Sequence, residues 1–298
     1  MNNNLVKLAP FTRLSDRVWR VLGLNPGKFT LQARPGTNTY LIGTGPRKLL
    51  LDCGEGRPDY IPLLQTSLAS ISPDAYISDV LISHGHMDHF GGLTSLLSAS
   101  PQPIRVHKFP SAPLTTHGID HMRHFPDDIQ VHPLHDQQIF QTEGATLRVL
   151  HTPGHTHDHC TFWLEEEQSV FTADCILGHG TAVFEDLSAY LIGLKAMLAL
   201  APRRLYPGHG EYIEPGVPKI KEYIEHRELR ERQIMDFLGN QPTDYTALEI
   251  VEVLYKDYPT SLHLPAAHSV VLHLLKLEKD GMVGSAGSDP LQKKWHRL

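Results

Sequence analysis

The stretch His84-Gly85-His86-Met87-Asp88-His89 decides how the rest of the chain is read. It follows the apolar run Val80-Leu81-Ile82-Ser83 and precedes Gly91-Gly92. Packing does not explain three imidazoles and one carboxylate in six residues at the end of a short strand, since polar groups gain nothing there without partners. Imidazole nitrogen suits Zn²⁺ and related ions, and a carboxylate adds charge to hold a second one. A strand-to-helix turn can splay alternate residues toward one point, and the glycines let the backbone turn tightly. The bland alternative is a histidine-rich surface loop.

Working outward, three more places put a potential ligand just after a short apolar run. Leu147–Leu150 runs into His151-Thr152-Pro153-Gly154-His155, Ser169–Ala173 into Asp174, and Arg204–Tyr206 into Pro207-Gly208-His209-Gly210. Loops beyond strand ends are where α/β scaffolds place function. The surrounding pattern is α/β. Strands are expected at Arg17–Leu22, Thr39–Ile42, Lys48–Asp52, Asp79–Ser83, Ile104–His107, Thr146–His151, Thr161–Glu165, Ser169–Thr172 and Arg204–Tyr206. Helices are expected at Tyr60–Leu68, from Leu93, and at Leu187–Leu200. Beyond Pro218 a charged helix over Lys219–Leu238 precedes two shorter ones, Ala247–Lys256 and Ala267–Lys279. The chain therefore divides into residues 1–218, a catalytic domain, and 219–298, a helical unit.

On these residues the chain resembles the metallo-β-lactamase superfamily. His84, His86, Asp88, His89, His155, Asp174 and His209 match the ligand positions of its dinuclear members. Within it the chain is similar to the metallo-β-lactamase-like protein 2 branch, which includes a mitochondrial single-strand-specific endoribonuclease. The matching stretches include Asn25-Pro26-Gly27, Gly36 to Leu41, Glu143 to Leu150, Val183 to Leu187 and Lys276 to Lys279. Fungal thioesterases that release polyketides from carrier proteins look similar in the same regions. Three departures stand out: Gly85 where Trp is common, Cys53 in place of Thr after Asp52, and an apparent insertion, Ala33-Arg34-Pro35.

The resemblance implies an αββα sandwich with two zinc ions per chain at one rim. His84, His86 and His155 would hold one, Asp88, His89 and His209 the other, and Asp174 would bridge them. With a bridging hydroxide such a site carries about one net positive charge, suited to an anionic transition state, and zinc lowers the pKa of bound water to about 7. A phosphodiester and a thioester are both open to this attack.

Other residues are weighed against plainer roles. Asp52 is expected to hydrogen-bond a ligand imidazole, against a turn carboxylate. Asp88 is a candidate proton donor to the leaving group as well as a ligand, and His179 a candidate to stabilise an oxyanion. Thr37, Asn38 and Tyr40 are candidates to line the pocket. His157 and His159 read as spare loop histidines, and His117, His121 and His124 share helical spacing without a carboxylate neighbour. Cys175 reads as a small buried residue.

The helices near 247–256 and 267–279, followed by Gly281–Val283 and Lys294–Arg297, suggest a small winged-helix-like unit. It is slightly acidic, a poor footprint for a phosphate backbone. Only its tip, Lys293-Lys294-Trp295-His296-Arg297, joins positive charge to an aromatic stacking surface.

Composition sets the outer limits. With 298 residues, 41% hydrophobic, the chain can bury a core, and a net charge of −6 excludes a globally basic nucleic-acid coat. Three cysteines without a CxxC pair argue against a disulfide scaffold and for an intracellular setting, cytoplasm or mitochondrial matrix, rather than secretion. The Arg-rich start resembles a transit peptide, but Arg17–Leu22 reads better as a first strand. No apolar run approaches the roughly 20 residues of a membrane span. The expectation is a dizinc hydrolase whose leading substrate is single-stranded RNA. An acyl or polyketide-carrier thioester is the alternative, and a binding module with a decayed site the third reading.

Overall fold

The computed structural model describes residues 7–25, 36–111, 122–240 and 243–298. Seven strands form the first sheet in chain order: β1 (Phe11–Arg13), β2 (Val18–Leu22), β3 (Asn38–Ile42), β4 (Arg47–Leu51), β5 (Tyr76–Ile82), β6 (Arg105–Lys108) and β7 (Val131–Pro133). From β4 onward the neighbours are parallel. Parallel pairs need a crossover. Here α1 (Tyr60–Ile71) links β4 to β5, and α2 (Met87–Phe90) with α3 (Leu93–Ala99) links β5 to β6. The second sheet holds β8 (Ile139–Thr142), β9 (Ala145–His151), β10 (Cys160–Leu164), β11 (Ser169–Ala173) and β12 (Arg204–Pro207), in the spatial order β12-β11-β10-β9-β8. The helix α4 (Leu187–Ala199) joins β11 to β12.

Both sheets are apolar on both faces, which is why their strands read as unbroken hydrophobic runs. Along each strand alternate residues turn to opposite sides. Tyr40, Ile42, Leu49, Leu51 and Leu81 point between the sheets, where they meet Leu147, Val149, Phe162 and Phe171. Leu41, Leu50, Val80 and Ile82 point outward under Tyr60, Leu64, Phe90, Leu93 and Leu96 of the first helices. Trp163 and Val170 point outward on the other side, under Leu187, Leu191 and Leu194 of α4. The layers are therefore helix, sheet, sheet, helix: the αββα sandwich.

Strand direction places the functional loops. Strand β10 is antiparallel to both β9 and β11, and β11 is parallel to β12. Hence β9, β11 and β12 run the same way and end at one edge. The end of β5 is tied to that edge by the Cys160 amide, which donates to the Ser83 carbonyl at 2.8 Å. The end of β12 is tied to β3 by the Asn38 amide, which donates to the Gly208 carbonyl at 2.7 Å.

The C-terminal part comprises α5 (Gly216–Gly239), α6 (Ala247–Leu254), α7 (His263–Lys279) and a hairpin of β13 (Val283–Ala286) and β14 (Lys294–Arg297). This is a winged helix. A capping box of Thr246 and Glu249 starts α6. Helix α5 begins ahead of Pro218, because a first-turn residue has no intrahelical amide bond to lose. It serves two cores: Ile220, Tyr223 and Ile224 pack with α4, whereas Ile234 and Leu238 pack with α6 and α7. The boundary expected after residue 218 thus falls inside this helix.

Two expectations need correcting. Trp295 offers no stacking surface. Strand alternation turns Lys294 outward and Trp295 inward, where it is fully buried among Ile234, Ile250, Val270 and Leu274. The strands β1, β7 and β8 were not anticipated. They are short, of mixed polarity, and extended because a neighbour offers backbone pairing. The Ala33-Arg34-Pro35 insertion and His117 and His121 lie outside the described residues, and His124 sits in a turn.

Candidate metal centre

The sequence-expected ligands come together in two groups. One holds His84, His86, His155 and Asp174, the other Asp88, His89 and His209; within each group, one donor atom per residue lies within 4.8 Å of the others. His84 leaves the end of β5, and His86 is the N-cap of α2, which carries Asp88 and His89 in its single turn. His155, Asp174 and His209 follow the co-directional strands β9, β11 and β12. Gly208 has no room for a side chain: an added Cβ would lie 2.4 Å from Asp174 Oδ1 and 3.0 Å from His89 Cε1. Gly92 is equally constrained, with the Cys53 carbonyl oxygen 2.1 Å from its would-be Cβ.

Hydrogen bonds fix which ring nitrogen faces the centre. Asp52 is buried and in the left-handed region, with φ 57°, which short polar side chains tolerate. Its carboxylate accepts from the Ser83 amide and hydroxyl, both at 2.8 Å, and lies 2.7 Å from His89 Nδ1. That is the contact expected of it. Because the Ser83 hydroxyl donates to Asp52, its oxygen accepts from His84 Nδ1 at 3.0 Å. His155 Nδ1 donates to the Val183 carbonyl at 2.8 Å. With Nδ1 of each ring donating outward, His84 and His155 both turn Nε2 inward. Both face His86 Nδ1, at 2.9 Å and 3.0 Å. One proton at most can be shared among three such nitrogens, so the arrangement suits a cation better than hydrogen bonding. Across the two groups His89 Nε2 and Asp174 Oδ1 are buried 3.4 Å apart, and neither makes a well-formed hydrogen bond. Nitrogen and carboxylate donors of this kind fit zinc and related divalent ions.

The net effect of burial and neighbouring charges runs in opposite directions on His84 and on His89 and His209. Burial holds the His84 imidazole well below its ordinary value, and the rings of His89, His86 and His155 add to this. In the second group burial also opposes charge but loses to the carboxylates. Asp174, Asp52 and Asp88 raise His89 well above its ordinary value, and Asp174 pushes His209 up to about 9. Burial pushes Asp88 and Asp174 upward, yet the neighbouring imidazoles hold both below the usual carboxylate range. His209 Nε2 lies 3.3 Å from Asp88 Oδ2 and 3.3 Å from Asp174 Oδ2. An ion entering this group has protons to displace.

The residues expected to line a pocket make hydrogen bonds at the centre. Thr37 is buried and donates to Asp88 Oδ2 at 2.8 Å. The buried Asn38 amide donates to the carbonyls of Pro207 and Gly210, both at 2.8 Å, and the Tyr40 hydroxyl donates to Pro207 at 2.6 Å. These two clamp the His209 turn from behind. His179 lies against Gly210, the neighbour of His209. His159 is no spare loop histidine. It is buried, 3.0 Å from the Thr152 hydroxyl, with its ring 5.3 Å from that of His84, and burial pushes it down to about 3. No sequence signal separated it from the exposed His157. Cys175 is buried as expected.

Known proteins resemble this chain in sequence and in fold. Residues 34–209 match the family model described as metallo-beta-lactamase superfamily, and residues 246–295 match that of the beta-lactamase associated winged helix domain. The chain is 45% identical over 274 residues to the beta-lactamase-like protein 2 homolog of Drosophila melanogaster, covering 91% of this chain and 90% of that one. It is 37% identical over 305 residues to the lactamase-like protein adaB of Aspergillus niger, covering 98% of this chain and 89% of that one. Among solved structures, a beta-lactamase domain protein from Burkholderia ambifaria superposes with a TM-score of 0.79 at 18% identity, covering 99% of this chain and 96% of that one. Among the described residues no helix is long and apolar enough to cross a membrane.

Proposed function

The chain belongs to the metallo-β-lactamase superfamily, and from that premise we propose a hydrolase that works with two zinc ions at the sandwich rim. One observation carries the reading: seven side chains from four strand ends present two sets of donor atoms, each within 4.8 Å. His84, His86 and His155 would hold one ion and Asp88, His89 and His209 the other, with Asp174 within reach of both groups. Bound there, the ions supply a hydroxide at neutral pH and polarise the oxygen on which charge develops.

The chain's own residues do the rest. Asp52 and the Val183 carbonyl fix the orientation and tautomer of His89 and His155. Thr37 holds one oxygen of Asp88. The Asp88 side chain is 24% exposed against 13% for Asp174, so it is the carboxylate placed to pass a proton to a departing group.

The leading substrate is the phosphodiester of single-stranded RNA. Support comes from the resemblance of the sequence to the branch that holds such an endoribonuclease, and from the positive charge of a loaded site. A thioester is the second reading. Its support is the burial of Trp295, which removes the one aromatic available for base stacking at the C-terminal tip, and two exposed apolar side chains beside the ligands. These are Met87, next to His86, and Val183, next to His155 through its carbonyl.

The deciding experiment offers the zinc-loaded chain, with Asp88→Ala as control, a labelled RNA oligomer and an acyl-carrier thioester. RNA cleavage lost in the control is the expected result. Intact RNA with a hydrolysed thioester overturns the substrate, and a metal content well under two ions per chain overturns the mechanism.

A further inference from the structure

A second polar site lies away from the ligands, between the segment after β11 and helix α5. A cleft of about 60 Å³ opens there, lined by Thr181, Glu222, Tyr223, His226 and Arg227. That is room for a few water molecules or one tetrahedral oxyanion.

Its floor is a buried arginine. Arg227 is 6% exposed. Its Nη2 donates to the Ala182 carbonyl at 2.9 Å, and its guanidinium lies over the rings of Phe184 and Tyr190 at 4.8 Å and 5.8 Å. Its Nε is buried without a hydrogen-bond partner. Among the described residues no carboxylate lies within ion-pair distance of it. Burying a charge without a counter-charge is costly.

The neighbourhood adds positive charge. Arg230 is answered only by the Tyr255 ring, 4.3 Å away, among its described contacts. His273 of α7 meets Phe184 edge-on at 6.0 Å, and its buried Nδ1 has no partner. Burial first, and then Arg227, Arg230, His226 and Lys276, push His273 down to about 3. Of the acids here, Glu222 lines the cleft and pairs with Lys219 at 2.8 Å, and Glu231 pairs with Lys276 at 3.0 Å.

We infer that this cleft binds a phosphate group, with the Arg227 guanidinium, the His226 imidazole and the Thr181 hydroxyl as its recognition elements. A guanidinium fork matches phosphate oxygens, and a largely desolvated one binds them more strongly than a surface lysine does. The cleft adjoins the metal rim by chain connectivity, since Arg227 holds Ala182 and the next carbonyl, of Val183, holds His155. Phosphate binding here does not depend on the reaction proposed above.

The test titrates the full-length, metal-replete chain with inorganic phosphate and follows the His226 imidazole resonance, assigned by its loss in His226→Ala. A saturable shift is expected, weakened about tenfold or more in Arg227→Gln and several-fold in Thr181→Val, the sizes of a lost charged and a lost neutral hydrogen bond. Thr181→Val decides if Arg227→Gln does not fold. No movement of the resonance at saturating phosphate, or equal affinity in every folded variant, overturns the inference. Phosphate that binds only at the metals leaves this resonance still. Parallel titrations with a 5′-phosphorylated dinucleotide and with 4′-phosphopantetheine show which source of phosphate the cleft favours.

Discussion

The metal rim and the winged helix solve opposite problems. At the rim, imidazoles and carboxylates are brought into a centre that would be costly without cations, and the double sheet behind supplies the rigidity. In the winged helix almost nothing is polar inside. Trp295, Ile250, Val270 and Leu274 close a small apolar core with few chemically active groups. One region spends stability on geometry, and the other supplies packing and a wall beside α4 and α5. Function and stability should therefore come apart under mutation.

Asp174→Ala gives the largest expected effect. Its carboxylate belongs to the first ligand group and approaches His89 and His209 of the second at 3.4 Å and 3.3 Å. Hydrolysis should fall by about 10³-fold or more, since several kcal/mol of metal-based stabilisation is lost. Metal analysis should find both ions depleted while circular dichroism stays native. Retained activity would break the contrast at its root. The mirror experiment is Trp295→Ala. It should cost about 3–5 kcal/mol in the C-terminal unit, the range for a buried aromatic, and leave the metal content of folded protein unchanged. Denaturant unfolding with metal analysis checks both halves of that statement.

Within the rim, Asp52→Asn should lower metal affinity about 10–100-fold, because it loosens the hold on His89. Competition with a chelator measures it. The two ligand groups should also differ with pH. His209 is pushed up to about 9 in the metal-free protein, above its ordinary 6.5. Its protonation therefore stabilises the metal-free fold fully below about pH 6.5, and that contribution is lost as pH rises through about 9. Metal uptake by the second group should strengthen over the same interval, because ion and proton compete for one nitrogen. Thermal melts of metal-stripped protein and proton release on zinc addition test the two signs. A melting temperature flat from pH 6.5 to 9 would contradict this. The smallest effect is expected of Thr37→Val. It removes one hydrogen bond to Asp88, worth about 1 kcal/mol, and should lower kcat several-fold with both ions still bound.

The seven side chains that meet at the rim were legible as candidates because their signal is local, and the sandwich was legible through the family resemblance they carry. Each ligand stands just after an apolar run, and the hexapeptide alone carries four of them. Asp52 was legible for the same reason, as a carboxylate at a strand end. The hydrogen bonds of His159 and Thr37, and the clamp formed by Asn38 and Tyr40, have no such local signal. Their roles depend on partners 7, 51 and about 170 positions away. The cleft on α5 was invisible, because Arg227 looks like any helical arginine until Phe184, Tyr190 and Ala182 close over it.

By itself the sequence determined which side chains can ligate and which strands carry them, since periodicity and turn chemistry are written in neighbouring residues. Tertiary structure alone decided which ring nitrogens face inward, which histidines are pushed up or down in pKa and which way Trp295 points. Those outcomes depend on burial and on charges a few ångströms away in space but far along the chain.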